Sequence, residues 1–274
     1  MMKRIIALVL VLVLALSFTA CAKKDVLHDK VLTVAMECGY APYNWTQSSD
    51  ANGAVQISGS PDYAYGYDVM MAKYLADKIG YDVEIVKSDW DSLPLAVQAG
   101  KVDCVIAGQS ITSERLQTVD FTTPYYYASI HAVTTKDSAY ANAKSLSDLA
   151  GATCTSQINT VWYDVCLPQI KDANILPAQE DVPSMFVMLA SGKCDLVVCD
   201  QPAALGAMAA NPDLVMIDLS AEDFVVSEEE INIGISLQKG NTELLNLLND
   251  ALSGLTEEDF VDMMNEAIKL SANL

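Results

Sequence analysis

Short apolar runs alternate with helix-spaced segments along nearly all of this chain, the pattern of an α/β protein. Residues 31–37 (VLTVAME) read as a first strand that ends at the polar and aromatic turn 38–43. Residues 46–62, rich in Ser, Asn, Asp and Gly, predict a loop or small hairpin. From Tyr67 to Ile79 the apolar positions Met71, Leu75 and Ile79 recur at every fourth residue and the pattern stops at Gly80, which predicts a helix with a glycine terminator. Val83 and Ile85 then alternate with Asp82 and Glu84 as a second strand, and residues 92–99 form a short helix before Gly100. DCVIAG (103–108) is an apolar run between turn residues, expected as a buried strand. ITSERLQTV (111–119) opens a helix that Thr112 or Ser113 caps.

The strand-like run ASIHAVTT (128–135) is expected to cross into another lobe, which begins near Lys136. Its elements are a helix onset at 145–151, a strand at 152–156, a helix from Val161, a strand at 174–177, a helix over 183–191, the strand CDLVVCD (194–200) and a helix from Gln201. The acidic segment 221–230 reads as a solvated loop. INIGISLQKG (231–240) looks like a return strand, and 241–273 supplies C-terminal helices. Two crossings give one lobe from 31–130 with 231–274 and a second from 131–230, the arrangement of binding proteins that close about a hinge.

The N-terminus changes where the protein is expected to work. Met-Met-Lys-Arg is followed by twelve apolar residues (5–16) and then by Ser-Phe-Thr-Ala-Cys, which describes a secretory signal over 1–20, too short for a comfortable membrane span. Residues 21–30 are then a linker. The chain carries 16 basic and 36 acidic residues, a formal net charge of −20, and the leader removes only basic ones. Such a charge argues against nucleic acid or an anionic membrane surface as a partner. Cys38, Cys104, Cys154, Cys166, Cys194 and Cys199 form no CxxC or metal-like cluster. Cys194 and Cys199 flank a strand, about 16 Å apart, so they do not bridge one another. Most of the six are expected as small buried hydrophobes, with a Cys154–Cys166 disulfide as the alternative.

Arg115 carries the clearest chemistry. A strand that ends in a polar turn and then a helix start presents free N–H groups at the carboxyl edge of a sheet, where α/β folds bind anions. With Gly108 and Ser110 in that turn, the guanidinium adds a planar donor fork matched to a carboxylate. Tyr40, Tyr43 and Trp45 follow the first strand, and Trp90 stands at the exit of the second between Asp89 and Asp91. Such aromatics flank an aliphatic or cationic ligand side chain or pack in the core; for Trp45 core packing is the expectation, as it is for Met70 and Met71. Asp200, at the end of CDLVVCD, is placed to cap the helix that follows.

Four segments, GYDVMMAKYLA (66–76), SDWDSLPLAVQAGKVD (88–103), IAGQSITSER (106–115) and VDFTTPYY (119–126), resemble in order and nearly without gaps the motifs of the family 3 extracellular solute-binding proteins, the polar amino-acid receptors of ABC importers. The resemblance implies a two-lobed type II periplasmic-binding-protein fold hinged on two crossover strands. It gives Arg115 the ligand's α-carboxylate and Asp200 its α-ammonium. Glu37 stands where many relatives have a ligand-contacting aspartate, and Gln157 and Thr160 match a second-lobe loop that meets the carboxylate. There Asn159 replaces the usual glycine, and an asparagine tolerates the left-handed backbone such a turn requires. Thr19-Ala20-Cys21 resembles the end of a lipoprotein signal, with Phe18 three residues before the cysteine; Cys21 would be diacylated, palmitate included, and hold a monomer to the cell membrane beside its permease. No cofactor or metal is implied.

Two other classes remain open at this level. Secreted cyclohexadienyl dehydratases use the same fold, and such a catalyst needs a general acid near a leaving hydroxyl, for which Glu37 or Asp200 are the nominees. Against it, the chain has only His28 and His131 as histidines and shows no nucleophile, metal cluster or phosphate loop. A sensor domain is disfavoured because no second membrane span or cytoplasmic module follows.

Overall fold

The computed structural model describes residues 29–272. The signal sequence, Cys21 and most of the linker lie outside them. Two five-stranded sheets organise the chain. The first has the order Asp82–Lys87, Val31–Met36, Cys104–Val105, Ser236–Gln238, Val119–Phe121; the second runs Asn174–Ile175, Thr153–Thr155, Leu196–Asp200, Ile130–Thr135, Leu214–Met216. Each sheet joins three parallel strands to antiparallel ones. The fold is α/β and two-lobed.

Helix Tyr67–Ile79 shows how the local signals act. Val69, Met71, Ala72, Leu75 and Ala76 are buried on one side of it, and Gly80 at φ +74° ends it, its N–H bonding back to the carbonyls of Ala76 and Asp77. Only a residue free of Cβ strain adopts that left-handed turn cheaply. The helix leads directly into Asp82–Lys87, which lies parallel to Val31–Met36.

Tyr126–Tyr127 and Asn232–Ile233 form a two-stranded antiparallel ladder outside both sheets. One chain passes through it from the first sheet to the second, and the other returns. The return run is therefore two strands. Gly234 separates them, packed so closely that a Cβ there would lie 2.7 Å from Ile111 and 3.1 Å from Phe121. Helix Glu257–Ser271 packs on both Tyr67–Ile79 and Gln201–Ala210.

Several expected elements take another form. The helix read at 111–119 is a single 3₁₀ turn, Arg115–Gln117, because strand Val119–Phe121 begins two residues later. Thr112 nevertheless does the capping work, accepting the Arg115 N–H at 3.2 Å. The helix from Val161 is a π-turn, Trp162–Cys166, that passes into a 3₁₀ turn at Leu167–Gln169, where Pro168 lacks an N–H. The onset at 145–151 is likewise a 3₁₀ turn, Leu146–Leu149, with a Ser145–Asp148 capping box. Residues 46–62 are, as expected, mostly loop with the first strand of a small hairpin, Val55–Gln56 against Tyr63–Tyr65, at the end of a four-stranded antiparallel sheet, while the acidic segment runs into a one-turn helix, Glu228–Ile231. The six cysteines are buried and free, so Cys154 and Cys166 are not bridged.

Candidate ligand-binding cleft

The candidate residues sit where strands end. Glu37 follows Val31–Met36, and Gly108 and Ser110 follow Cys104–Val105. Gln157 and Thr160 follow Thr153–Thr155, and Asp200 closes Leu196–Asp200. Carboxyl ends from both sheets thus face one cleft, the place where open α/β sheets present ligand groups.

Arg115 is half-buried at its centre. One guanidinium nitrogen donates to the Ser110 carbonyl at 2.9 Å and another to the Asn159 carbonyl at 2.9 Å, while the carbon lies 5.4 Å from the Trp90 ring centroid. Burial lowers its pKa to about 10, against the opposing pull of Glu114 and Asp164, so it keeps its charge at neutral pH. The second-lobe partner of Arg115 is a turn with Asn159 at φ +56°, the left-handed backbone expected of an asparagine standing for glycine. That turn makes further contacts: Trp90 Nε1 donates to the Ile158 carbonyl at 3.0 Å, and Asn159 Nδ2 donates to Asp91 at 2.8 Å. Thr160 faces inward and uses its hydroxyl within the loop, donating to the Gln157 carbonyl at 2.7 Å.

The acidic groups are buried. Glu37 receives the Gln157 amide at 3.0 Å on Oε1, while Oε2 has no hydrogen-bond partner among the described residues. Burial, the largest cause, pushes its carboxyl up to about 8, and Asp181, Asp68 and Asp89 push the same way. Asp200 does cap its helix, accepting the Ala203 N–H at 2.8 Å; its other oxygen accepts the Tyr40 hydroxyl. Burial raises Asp200 to about 6, with the bonds from Tyr40 and Ala203 opposing. Tyr40 stacks on Tyr43 at 4.6 Å, and both rings lie against Gly108. Trp45 packs edge-on against Tyr65, among core side chains.

A small cavity of about 10 Å³ is lined by Tyr40, Trp90, Gly108, Ser110, Arg115 and Gln157, together with Thr160, Val161 and Trp162. The remaining sequence-derived candidates border it, Glu37 through Gln157, Asp200 through Tyr40, and Tyr43 through the tyrosine stack. Beyond Arg115 the cleft widens into a space of about 680 Å³ whose walls include Asp91, Glu114, Asp164 and Glu230. Trp162 is the residue sequence reading missed; it follows Thr160 by two positions and meets Tyr40 edge-on at 6.1 Å.

The profile of the bacterial extracellular solute-binding proteins, family 3, matches residues 32–267. The chain belongs to this family. Among its relatives, the L-cystine-binding protein TcyJ of Escherichia coli is 24% identical over 235 residues, 86% of this chain and 81% of the relative. The arginine-binding extracellular protein ArtP of Bacillus subtilis is 26% identical over 278 residues, 97% of each chain. A solved structure of an amino acid ABC transporter substrate-binding protein from Streptococcus pneumoniae, bound to L-arginine, superposes with a TM-score of 0.77 at 26% identity over 88% of this chain and 95% of that one. These relatives are amino-acid-binding proteins, and this family 3 chain is a binding protein rather than an enzyme.

Proposed function

We propose that the protein is the extracellular substrate-binding lipoprotein of an ABC importer, a monomer that binds a free amino acid in the cleft and delivers it to a membrane permease. The observation that carries this reading is the meeting of a cationic fork, Arg115, with carboxylates from two different sheets, Glu37 and Asp200, around one aromatic-walled cavity. Arg115 with Ser110 and Thr160 takes the α-carboxylate, and Asp200 takes the α-ammonium in place of the Tyr40 hydroxyl. Glu37, Tyr40, Tyr43, Trp90 and Gln157 surround the side chain. The acidic walls of the cleft beside Trp90, formed by Asp91, Glu114, Asp164 and Glu230, favour a polar or cationic side chain. The lobes are residues 31–130 with 231–274 and residues 131–230, and Cys21 carries the lipid that anchors the mature chain.

A thermal-shift screen of the twenty amino acids with ornithine and cystine, followed by calorimetry on each stabilising compound, tests the reading. One or a few polar or cationic amino acids should stabilise the protein. No stabilisation by any of them refutes it. Mass spectrometry of the native protein tests the anchor, which an unmodified Cys21 excludes.

A further inference from the structure

The motif residue Asp68 is left without a role by the cleft described above. It sits in the first turn of helix Tyr67–Ile79, is 0% exposed and does not line the cavity. Its two oxygens nonetheless hold both ligand-presenting turns of the first lobe from behind. Oδ2 accepts the Asn44 side-chain amide at 2.7 Å, and Asn44 Oδ1 accepts the Cys38 N–H at 2.7 Å, inside the turn that carries Glu37 and Tyr40. Oδ1 accepts the Tyr125 hydroxyl at 2.7 Å, and that hydroxyl accepts the Gly108 N–H at 3.1 Å, in the turn that leads to Ser110 and Arg115.

Both anchored residues have left-handed backbones, Cys38 at φ +53° and Gly108 at φ +59°. Such turns persist where the surroundings hold them. Every donor in the chain has an acceptor, and the carboxylate alone can serve two donors on opposite sides.

We propose that Asp68 is a positioning residue for ligand binding, a buried clamp that fixes the Glu37–Tyr40 turn against the Gly108–Arg115 turn through Asn44 and Tyr125. The proposal rests on the reading of the cleft as an amino-acid site. It assigns Asp68 no contact with the ligand. Replacing it by asparagine leaves one acceptor oxygen where two are needed, so one arm is released. Exchanging the two residues, with Asp at 44 and Asn at 68, restores every bond: the new carboxylate accepts from Cys38 and from the new amide, whose oxygen accepts from Tyr125.

Three proteins decide the matter: Asp68→Asn, the exchange variant Asn44→Asp/Asp68→Asn, and Tyr125→Phe, each measured by calorimetry with L-arginine, L-histidine and L-cystine and by amide hydrogen exchange at Cys38 and Gly108. Asp68→Asn should weaken binding about tenfold or more and speed exchange at one or both amides. The exchange variant should recover affinity to within about threefold, which it would not do if the carboxylate were required at position 68 itself, and the exchange rates at Cys38 and Gly108 separate the clamp from bulk stability. Tyr125→Phe, informative even if Asp68→Asn does not fold, should release Gly108 and spare Cys38 while weakening binding. Unchanged affinity in folded Asp68→Asn or in Tyr125→Phe, or an exchange variant as weak as the single one, overturns the proposal. Should wild-type protein bind none of the three compounds or any other amino acid, the ligand reading fails, and the exchange rates still decide whether the clamp exists.

Discussion

Glu37 and Gln157 lie 120 residues apart in the chain and meet at 3.0 Å across the cleft, so a side chain from the first sheet's edge is held by one from the second's. Burial also alters the protonation of Glu37, pushing its carboxyl from 4.5 up to about 8. A carboxyl with a raised pKa makes the folded chain bind a proton that the unfolded chain releases. Its unfavourable contribution is absent below pH 4.5, grows as pH rises towards 8 and is constant above.

Glu37→Gln keeps the oxygen that accepts from Gln157 and removes the titration. The melting temperature of the wild type should fall relative to that of the variant between pH 5 and pH 8. Parallel pH profiles for the two proteins would show that Glu37 is solvated and ionised throughout.

Arg115→Ala should weaken binding of the cognate amino acid by roughly 30-fold to several-thousand-fold, the effect of removing one member of a buried hydrogen-bonded charge pair, about 2 to 5 kcal/mol. Arg115→Lys should recover little of that loss, because an ammonium does not reproduce the fork. Calorimetry on both variants checks the expectation, and wild-type affinity in Arg115→Ala removes Arg115 from the site.

Gly108→Ala should destabilise the protein by about 2 to 4 kcal/mol. The new methyl group would lie 2.6 Å from the Tyr40 ring, on a backbone at φ +59° that alanine adopts with strain. Urea unfolding measures the loss. A midpoint equal to that of the wild type would mean that Tyr40 moves freely, which its stacking on Tyr43 contradicts.

A cavity of about 10 Å³ does not admit an amino acid, so binding at that cavity, rather than in the wider space beyond Arg115, needs the two sheets to move apart and close again about the ligand. Small-angle scattering should therefore report a larger radius of gyration without ligand than with it, since a ligand shifts the balance through its different contacts with the two states. Identical profiles with and without a tight ligand, in a protein shown to be open beforehand, would refute closure.

Much of this was legible in the residues. Strand exits at Glu37, Gly108 and Asp200 followed from apolar runs that stop at turn residues, and the cap at Asp200 follows from its side chain. The left-handed Asn159 was readable from the family resemblance, which puts a glycine there, because asparagine is one of the few other residues that tolerate that backbone. Lengths were less readable: nothing local to 111–119 says that the next strand starts at Val119, and tertiary pairing with Ser236–Gln238 decides it. Strands as short as Tyr126–Tyr127 carry no periodicity at all. The role of Asp68 was hidden for a related reason, since its partners Asn44 and Tyr125 are remote in sequence and one carboxylate in a helix's first turn looks like an ordinary dipole complement.

The turn at 157–160 makes the described hydrogen bonds to Glu37, Trp90, Asp91 and Arg115. Because one short peptide supplies them, substitutions there retune how readily the receptor rests shut while its first-lobe chemistry stays intact. Gln157 and Thr160 also line the cavity, so only Ile158 and Asn159 are positions at which such a latch is adjustable apart from the choice of ligand.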